Sequence, residues 1–265
     1  MNAIELFRKE STRKRFEEVL GERAPQFIVS VLSLVNASHQ LMEADPETIY
    51  GAAMTAAALD LPVNSNLGYA YIIPYRTKLG NQAQFQIGYK GLIQLALRSG
   101  QYRVINSTDV REGEIVERNR ITGVIKFAWL AEDERNSKPI IGYASYFELL
   151  SGFSSTLYMS VNEIKEHASN YSAMAKRNEG IWISDFDVMA RKTVLKLNLS
   201  RYGLLTVQME KAIVNDQAVI RNDKIIYVDN SDTAKDEKLA IAADKLNELF
   251  NVKNDENHET AQSNK

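Results

Sequence analysis

The first 60 positions space their apolar residues as helices do, and the pattern then shortens to strand alternation. Asp45-Pro46 is a helix start, with Asp as N-cap and Pro at the first helical position. The alanine-rich run 51–59 continues that helix and Pro62 stops it. Segments 69–75 and 82–87, joined by a stretch with Lys78, Gly80 and Asn81, read as a β-hairpin with a polar tip. Tyr69, Tyr71 and Tyr75 share one of its faces. Segment 89–99 reads as a helix between Gly88 and Gly100. From 102 to 160 the pattern is mainly strand, with a second hairpin, 143–149 and 154–160, about a Ser151-Gly152 turn. Ser160 and Glu163 have capping-box spacing and open a helix to about residue 168. Residues 171–180 form a polar, basic loop. Ser184 is read as the cap of a long helix to about residue 202, with Gly203 at its C-terminal position. Helices, then strands, then helices predict an α+β fold: a small, mainly antiparallel sheet with hairpins packed by helices.

Residues 1–228 read as one core and 229–265 as an appended tail. Residues 229–234 are linker-like, and Leu239, Ala242, Ala243, Leu246, Leu249 and Phe250 then recur at helical spacing. The polar stretch 251–265 reads as a disordered end. The tail carries nine acidic residues against five lysines, a net −4; the whole chain is −2, so the core is +2.

Composition narrows the chemistry. The chain has 265 residues, 45% of them hydrophobic, which is enough to bury a core. It has no cysteine, which excludes disulfides, thiolate metal sites and cysteine nucleophiles. The longest apolar stretch near the N-terminus, 27–35, is far short of the roughly 20 residues a membrane span needs. It lies behind a charged segment, unlike a signal sequence, so the expected compartment is the cytoplasm. His39, His167 and His258 stand apart, at no metal-ligand spacing. There is no phosphate-binding glycine loop of the nucleotide-binding kind. Gly88-Tyr-Lys-Gly91 matches the GxxG backbone clamp, and a helix start explains it as well. Asp185, Asp187 and Glu163 could serve a divalent-metal nuclease, but all three sit where carboxylates complement helix N-termini.

The cations carry more information. Lys90, Gln94 and Arg98 form a polar stripe beside Leu92, Ile93, Leu95 and Ala96. Lys90 and Arg98 are about 12 Å apart along the helix axis, within reach of two phosphates. Lys192 and Lys196 share a narrow arc hemmed by apolar residues, so they need either an anion or a carboxylate partner. Aromatic rings are interleaved with base at Tyr69, Tyr71, Tyr75, Arg76 and Lys78, at Phe85, Tyr89 and Lys90, and at Tyr171, Lys176, Arg177 and Trp182. Stacking rings beside cations suit single-stranded nucleic acid. Strand aromatics also build cores, and alternation allows some of each.

Three blocks then resemble the RecT family of phage and prophage single-strand annealing recombinases. They are Asn64-Ser-Asn-Leu-Gly-Tyr-Ala-Tyr-Ile-Ile-Pro-Tyr75, Gln84-Phe-Gln-Ile-Gly-Tyr-Lys-Gly-Leu-Ile-Gln-Leu-Ala-Leu-Arg-Ser-Gly100, and Trp182 with Asp185-Phe-Asp-Val-Met-Ala-Arg-Lys-Thr-Val-Leu-Lys196. The resemblance spans roughly residues 13 to 212. It implies a non-catalytic protein that binds single-stranded DNA, assembles into rings or helical filaments, and anneals a complementary strand without ATP. The implied partners are single-stranded DNA, the annealed duplex intermediate, further copies of the chain and a phage exonuclease. A host single-strand binding protein is a further partner, reached through the tail. No cofactor is implied, and magnesium enters only as a modulator. By position, the resemblance places Lys90, Arg98, Arg191, Lys192, Lys196, Gln84, Gln86 and Tyr89 at the DNA, and Lys176, Arg177, Arg76 and Lys78 join them from loops. Two other readings predict different behaviour. A nuclease would shorten DNA, and a structural assembly protein would oligomerise regardless of DNA.

Overall fold

A computed structural model describes residues 2–77, 80–221 and 224–227. Lys78, His258 and the tail from 229 lie outside these described residues. Helices α1 (Ala3–Arg8), α2 (Glu10–Leu20), α3 (Ala24–Ala37), α4 (His39–Met42) and α5 (Pro46–Ala58) open the chain. The Asp45 carboxylate accepts the Glu47 N–H, so the expected cap is in place. Phe7, Phe16, Phe27 and Tyr50 gather the first helices around α5, with ring centroids 5.7–6.4 Å apart.

The alanine run gives α5 a smooth, closely approached surface. Ala52, Ala53 and Ala56 are fully buried. A Cβ on Gly51 would stand 2.2 Å from the Ile220 carbonyl oxygen, so nothing larger than glycine fits there. The first hairpin packs on this helix: β1 (Ala70–Thr77) pairs antiparallel with β2 (Gly80–Ile87), from Ala70↔Ile87 to Thr77↔Gly80. One face, with Ala70, Ile72, Ala83, Phe85 and Ile87, enters the core. Helix α6 (Tyr89–Arg98) follows at once.

A second layer is the sheet β3 (Tyr102–Arg111), β6 (Ile140–Leu149) and β7 (Ser154–Ser160), antiparallel in the order β3-β6-β7. A short hairpin, β4 (Ile115–Arg118) with β5 (Ile125–Phe127), and helix α7 (Glu132–Ser137) interrupt the strand region that was expected there. Helix α8 (Val161–Tyr171) starts with the anticipated Ser160–Glu163 capping box. The basic loop contains a turn of helix, α9 (Ala173–Lys176), capped by Ser172. The described chain ends with α12 (Val207–Asn215) and the hairpin β8 (Val219–Arg221)–β9 (Lys224–Ile226), which meets β2 through Phe85 and Ala218.

The long helix differs at both ends from its expected form. Ser184 does not cap it: Ser184 ends a separate turn, α10 (Ile181–Ser184), and α11 runs Phe186–Tyr202. Asp185 takes the cap position without a side-chain bond to the helix, because its carboxylate accepts the Ser184 hydroxyl instead. Gly203 has φ −75°, so it is not a left-handed cap. A Cβ there would meet both the Leu199 carbonyl oxygen and the Tyr102 hydroxyl at 2.7 Å, which is why glycine stands there. Buried polar groups pin α11 to the sheet: Ser145 donates to the Val194 carbonyl, and Asn198 bonds to Ser145 and Ser155. Among the described residues no helix is long and apolar enough to cross a membrane.

Candidate nucleic-acid interface

Strand alternation turns Tyr71, Ile73 and Tyr75 away from the core, opposite Gln86, Gln84 and Gln82 of β2. This face is polar yet largely covered. Gln84 is fully buried, Gln82 nearly so, and Tyr71 and Gln86 are half-buried. Gln86 Nε2 donates to Gln84 Oε1 at 3.4 Å. The Gln84 Nε2 group has no acceptor among the described residues. An unpaired buried amide is costly, so this donor needs an explanation.

The GxxG pair shapes one end of that face. A Cβ at Gly88 would lie 2.0 Å from the Gly68 carbonyl oxygen, and one at Gly91 2.2 Å from that of Tyr69. The two glycines therefore let the first turn of α6 sit directly on the 68–69 backbone. Tyr89 and Lys90 are carried beside Tyr71 as a result: the Tyr71 hydroxyl and the Lys90 stem would stand 3.3 and 3.4 Å from a Cβ on Gly68. Lys90 is exposed and pairs with no carboxylate among the described residues.

Met174 and Arg177, at α9, face the outer end of the hairpin. Burial pushes the Tyr71 hydroxyl above its usual pKa, and the nearby Tyr89 and Asp185 push it further. Arg177 is bonded to Glu179 at 3.0 Å and interacts with Tyr75. Met174 and Arg177 line an open cleft of about 710 Å³ with Pro74, Tyr75 and Arg76. Arg76, Lys176 and Arg177 are all exposed.

Four of the expected phosphate contacts have partners within the protein, and Arg98 and Arg191 keep 35% and 30% of their side chains exposed. Lys192 and Lys196 hold one carboxylate, Asp216, at 2.9 and 2.5 Å, and the Lys192 side chain is only 8% exposed. Of the two partners their pattern demanded, the chain supplies the carboxylate. Burial alone would raise the Asp216 pKa; the two ammonium groups outweigh it and hold the carboxyl well below the usual range. Asp216 also accepts the Ile87 N–H, so it joins α11 to the end of β2. Arg191 donates to the Ser107 carbonyl and to Asp109. Arg98 donates to the Leu59 and Asp60 carbonyls and satisfies the C-terminal end of α5. Asp216 was missed as a site residue because it follows the lysines by 20 to 24 positions across a helix and two turns.

The three carboxylates of the nuclease reading are engaged separately. Asp185 accepts from Ser184, Asp187 from the Tyr143 hydroxyl, and Glu163 from the Ser160 N–H and hydroxyl. The Ser160 bonds hold the Glu163 pKa below its ordinary value. Among the described residues no three acidic or histidine side chains converge as metal ligands do.

Comparison with known proteins fits this geometry. The model of the RecT family matches residues 25–234. An uncharacterised protein, YqaK of Bacillus subtilis (strain 168), is 47% identical over 206 residues, covering 78% of this chain and 69% of that protein. Protein RecT of Escherichia coli (strain K12) is 27% identical over 177 residues, covering 65% of this chain and 64% of that protein. The matched region takes in the hairpin, the GxxG turn, the cleft and the buried lysine pair, and the chain belongs to the RecT family.

Proposed function

We propose that the chain is an ATP-independent protein that binds single-stranded DNA and anneals it to a complementary strand in homologous recombination. Family membership supports the activity. The observation that carries the site is the open cleft between the outer end of the first hairpin and α9, which sets Tyr75 beside the exposed cations Arg76 and Arg177. Exposed Lys90 meets Tyr71 near Gly68, at the other end of the same hairpin. Exposed cations grip phosphate without reading sequence, and flanking rings stack bases without regard to identity. That leaves base edges free to pair, as annealing requires. Lys192, Lys196, Arg191 and Arg98 act in this reading as positioning residues that hold the cleft walls.

The working unit is an oligomer, a ring or a helical filament, on DNA resected by a phage exonuclease. The protein has no catalytic role of its own, and magnesium only screens phosphates. The tail docks partner proteins, a host single-strand binding protein among them.

The test is sequential-addition annealing without nucleotide. Protein meets one labelled oligonucleotide and then its complement, with and without magnesium, before protein removal and a native gel. Rapid duplex formation with intact strands is the expected result. Shortened strands would return Asp185, Asp187 and Glu163 to a catalytic reading. Oligomers that neither bind nor anneal DNA would leave only the assembly reading. Removal of residues 229–265 is expected to spare annealing and to weaken capture by partners.

A further inference from the structure

The hairpin of β4 and β5 ends in an exposed apolar tip. Ile115, Ile125 and Phe127 anchor the hairpin on Val110, Ala144 and Tyr158. Val116, Ile121 and Val124 are left outside, and Ile121 is 97% exposed. Local bonds hold the tip in one shape. Asn119 Oδ1 accepts the Ile121 and Thr122 N–H groups at 3.0 and 3.1 Å, and the Asn119 N–H donates to the Val124 carbonyl at 2.9 Å. A tip fixed in this way loses little freedom when it docks.

The same insertion carries a matching socket. An open trough of about 390 Å³ lies on the outer face of the sheet, with Val104, Asn106, Phe127, Trp129, Tyr146 and Thr156 in its lining. Trp129 is 55% exposed and lies flat on Phe127, with ring centroids 4.9 Å apart and 10° between the planes. No charged side chain among the described residues lines the trough, so phosphate has no grip there. A backed, half-open tryptophan is instead the kind of anchor that protein contacts use. The geometry points to a second copy of this chain as the occupant: the β4–β5 tip of one molecule seats in the Trp129 trough of its neighbour.

Two observations select that occupant. The ladder of the hairpin runs from Phe127↔Ile115, beside the trough, to Ile125↔Arg118, beside the tip, so it holds a molecule's own tip away from its own Trp129. The charges are also complementary. Exposed Arg118 and Arg120 flank the tip, and exposed Glu132, Asp133 and Glu134 open α7 just beyond Trp129. Arg118 lies over the Tyr158 ring, and both arginines stand near Glu163, which Ser160 already engages. Neither arginine forms an ion pair among the described residues. With tip and socket at opposite ends of one hairpin, each copy can serve two neighbours. The inference gives a surface to the oligomer proposed above and rests on that reading.

The chain has no cysteine, so single cysteines report the contact directly. Thr122→Cys at the tip is placed in a chain lengthened by an affinity tag, and Asn106→Cys at the trough in an untagged chain. The two full-length proteins are mixed with and without an oligo-dT strand, oxidised with copper-phenanthroline and run on a non-reducing gel. Light scattering records the oligomer, and the thermal transition of each variant monitors folding. The expected product is the dimer of mixed size, and Ile121→Asp in the tip protein should lower its yield at least tenfold. Arg118→Glu with Arg120→Glu should lower it as well, and Glu132→Lys with Asp133→Lys in the socket protein should restore it. A yield indifferent to Ile121→Asp, or equalled when Ser11→Cys on α2 replaces the socket cysteine, overturns the contact. Oligomers that persist without the mixed product overturn this surface and leave the oligomeric reading standing. Proteins that stay monomeric with and without the strand overturn both.

Discussion

Asp216 shows how a single residue sets the reach of its neighbours. One buried carboxylate answers Lys192, Lys196 and the Ile87 N–H, so removing its charge leaves Lys192 buried without an anion. Asp216→Asn is expected to cost about 3–5 kcal/mol in a urea titration. Its folded-state pKa is depressed, as is that of Asp109, where Arg135 and Arg191 outweigh the effect of burial. A depressed carboxyl stabilises the fold fully above its unfolded pKa of about 3.9, and that stability is lost as pH falls towards the folded value. Urea midpoints measured between pH 6 and 3 should therefore fall towards acid, and less steeply in Asp216→Asn. Lys90 belongs to the opposite class. Lys90→Ala should leave stability unchanged, weaken all single strands alike, and flatten the salt dependence of binding by about 0.7 in log–log slope. The apolar flanks of Lys192 and Lys196 already announced that both needed a partner. Which partner was not legible, because only the tertiary path of α12 and the turn after it brings Asp216 alongside.

At the scale of elements, local signals are legible in the sequence and junctions are not. The Asp45 cap, the first hairpin, α6 and the Ser160 capping box each rest on contacts within a few residues, and all stand where the pattern put them. Helix α11 starts later than its pattern predicts because Ser184 ends the turn of α10 and its hydroxyl bonds to Asp185. The α+β architecture was legible; β4, β5 and α7 were not. They are held by a long-range ionic cluster, in which Arg135 bonds Asp109 and Glu114. The GxxG turn allows a prediction at this scale. Gly88→Ala forces its methyl into the Gly68 carbonyl and lifts α6 from the hairpin. Overpacking of this kind costs about 1–3 kcal/mol. It should also weaken DNA binding, because Lys90 moves with the helix. Thermal melts and fluorescence anisotropy measure the two effects.

Across the whole molecule, electrostatic placement matters more than net charge. The chain is −2, yet Arg76, Lys90, Lys176 and Arg177 are exposed, Arg76 and Arg177 on one cleft, while other cations are neutralised internally. Association with single strands should thus be fast at low salt and slow markedly at several hundred millimolar, when the Debye length falls well under 10 Å. Stopped-flow binding across salt concentrations measures it. The unpaired amide of Gln84 adds a consequence of another kind. Among the described residues this buried donor has no acceptor, a penalty of about 1–3 kcal/mol that a ligand oxygen within reach would relieve. Gln84→Met fills a similar volume with no polar atom. It should raise the melting temperature and lower the affinity for DNA together, so that selection for a sturdier fold and selection for a better grip pull this one position in opposite directions.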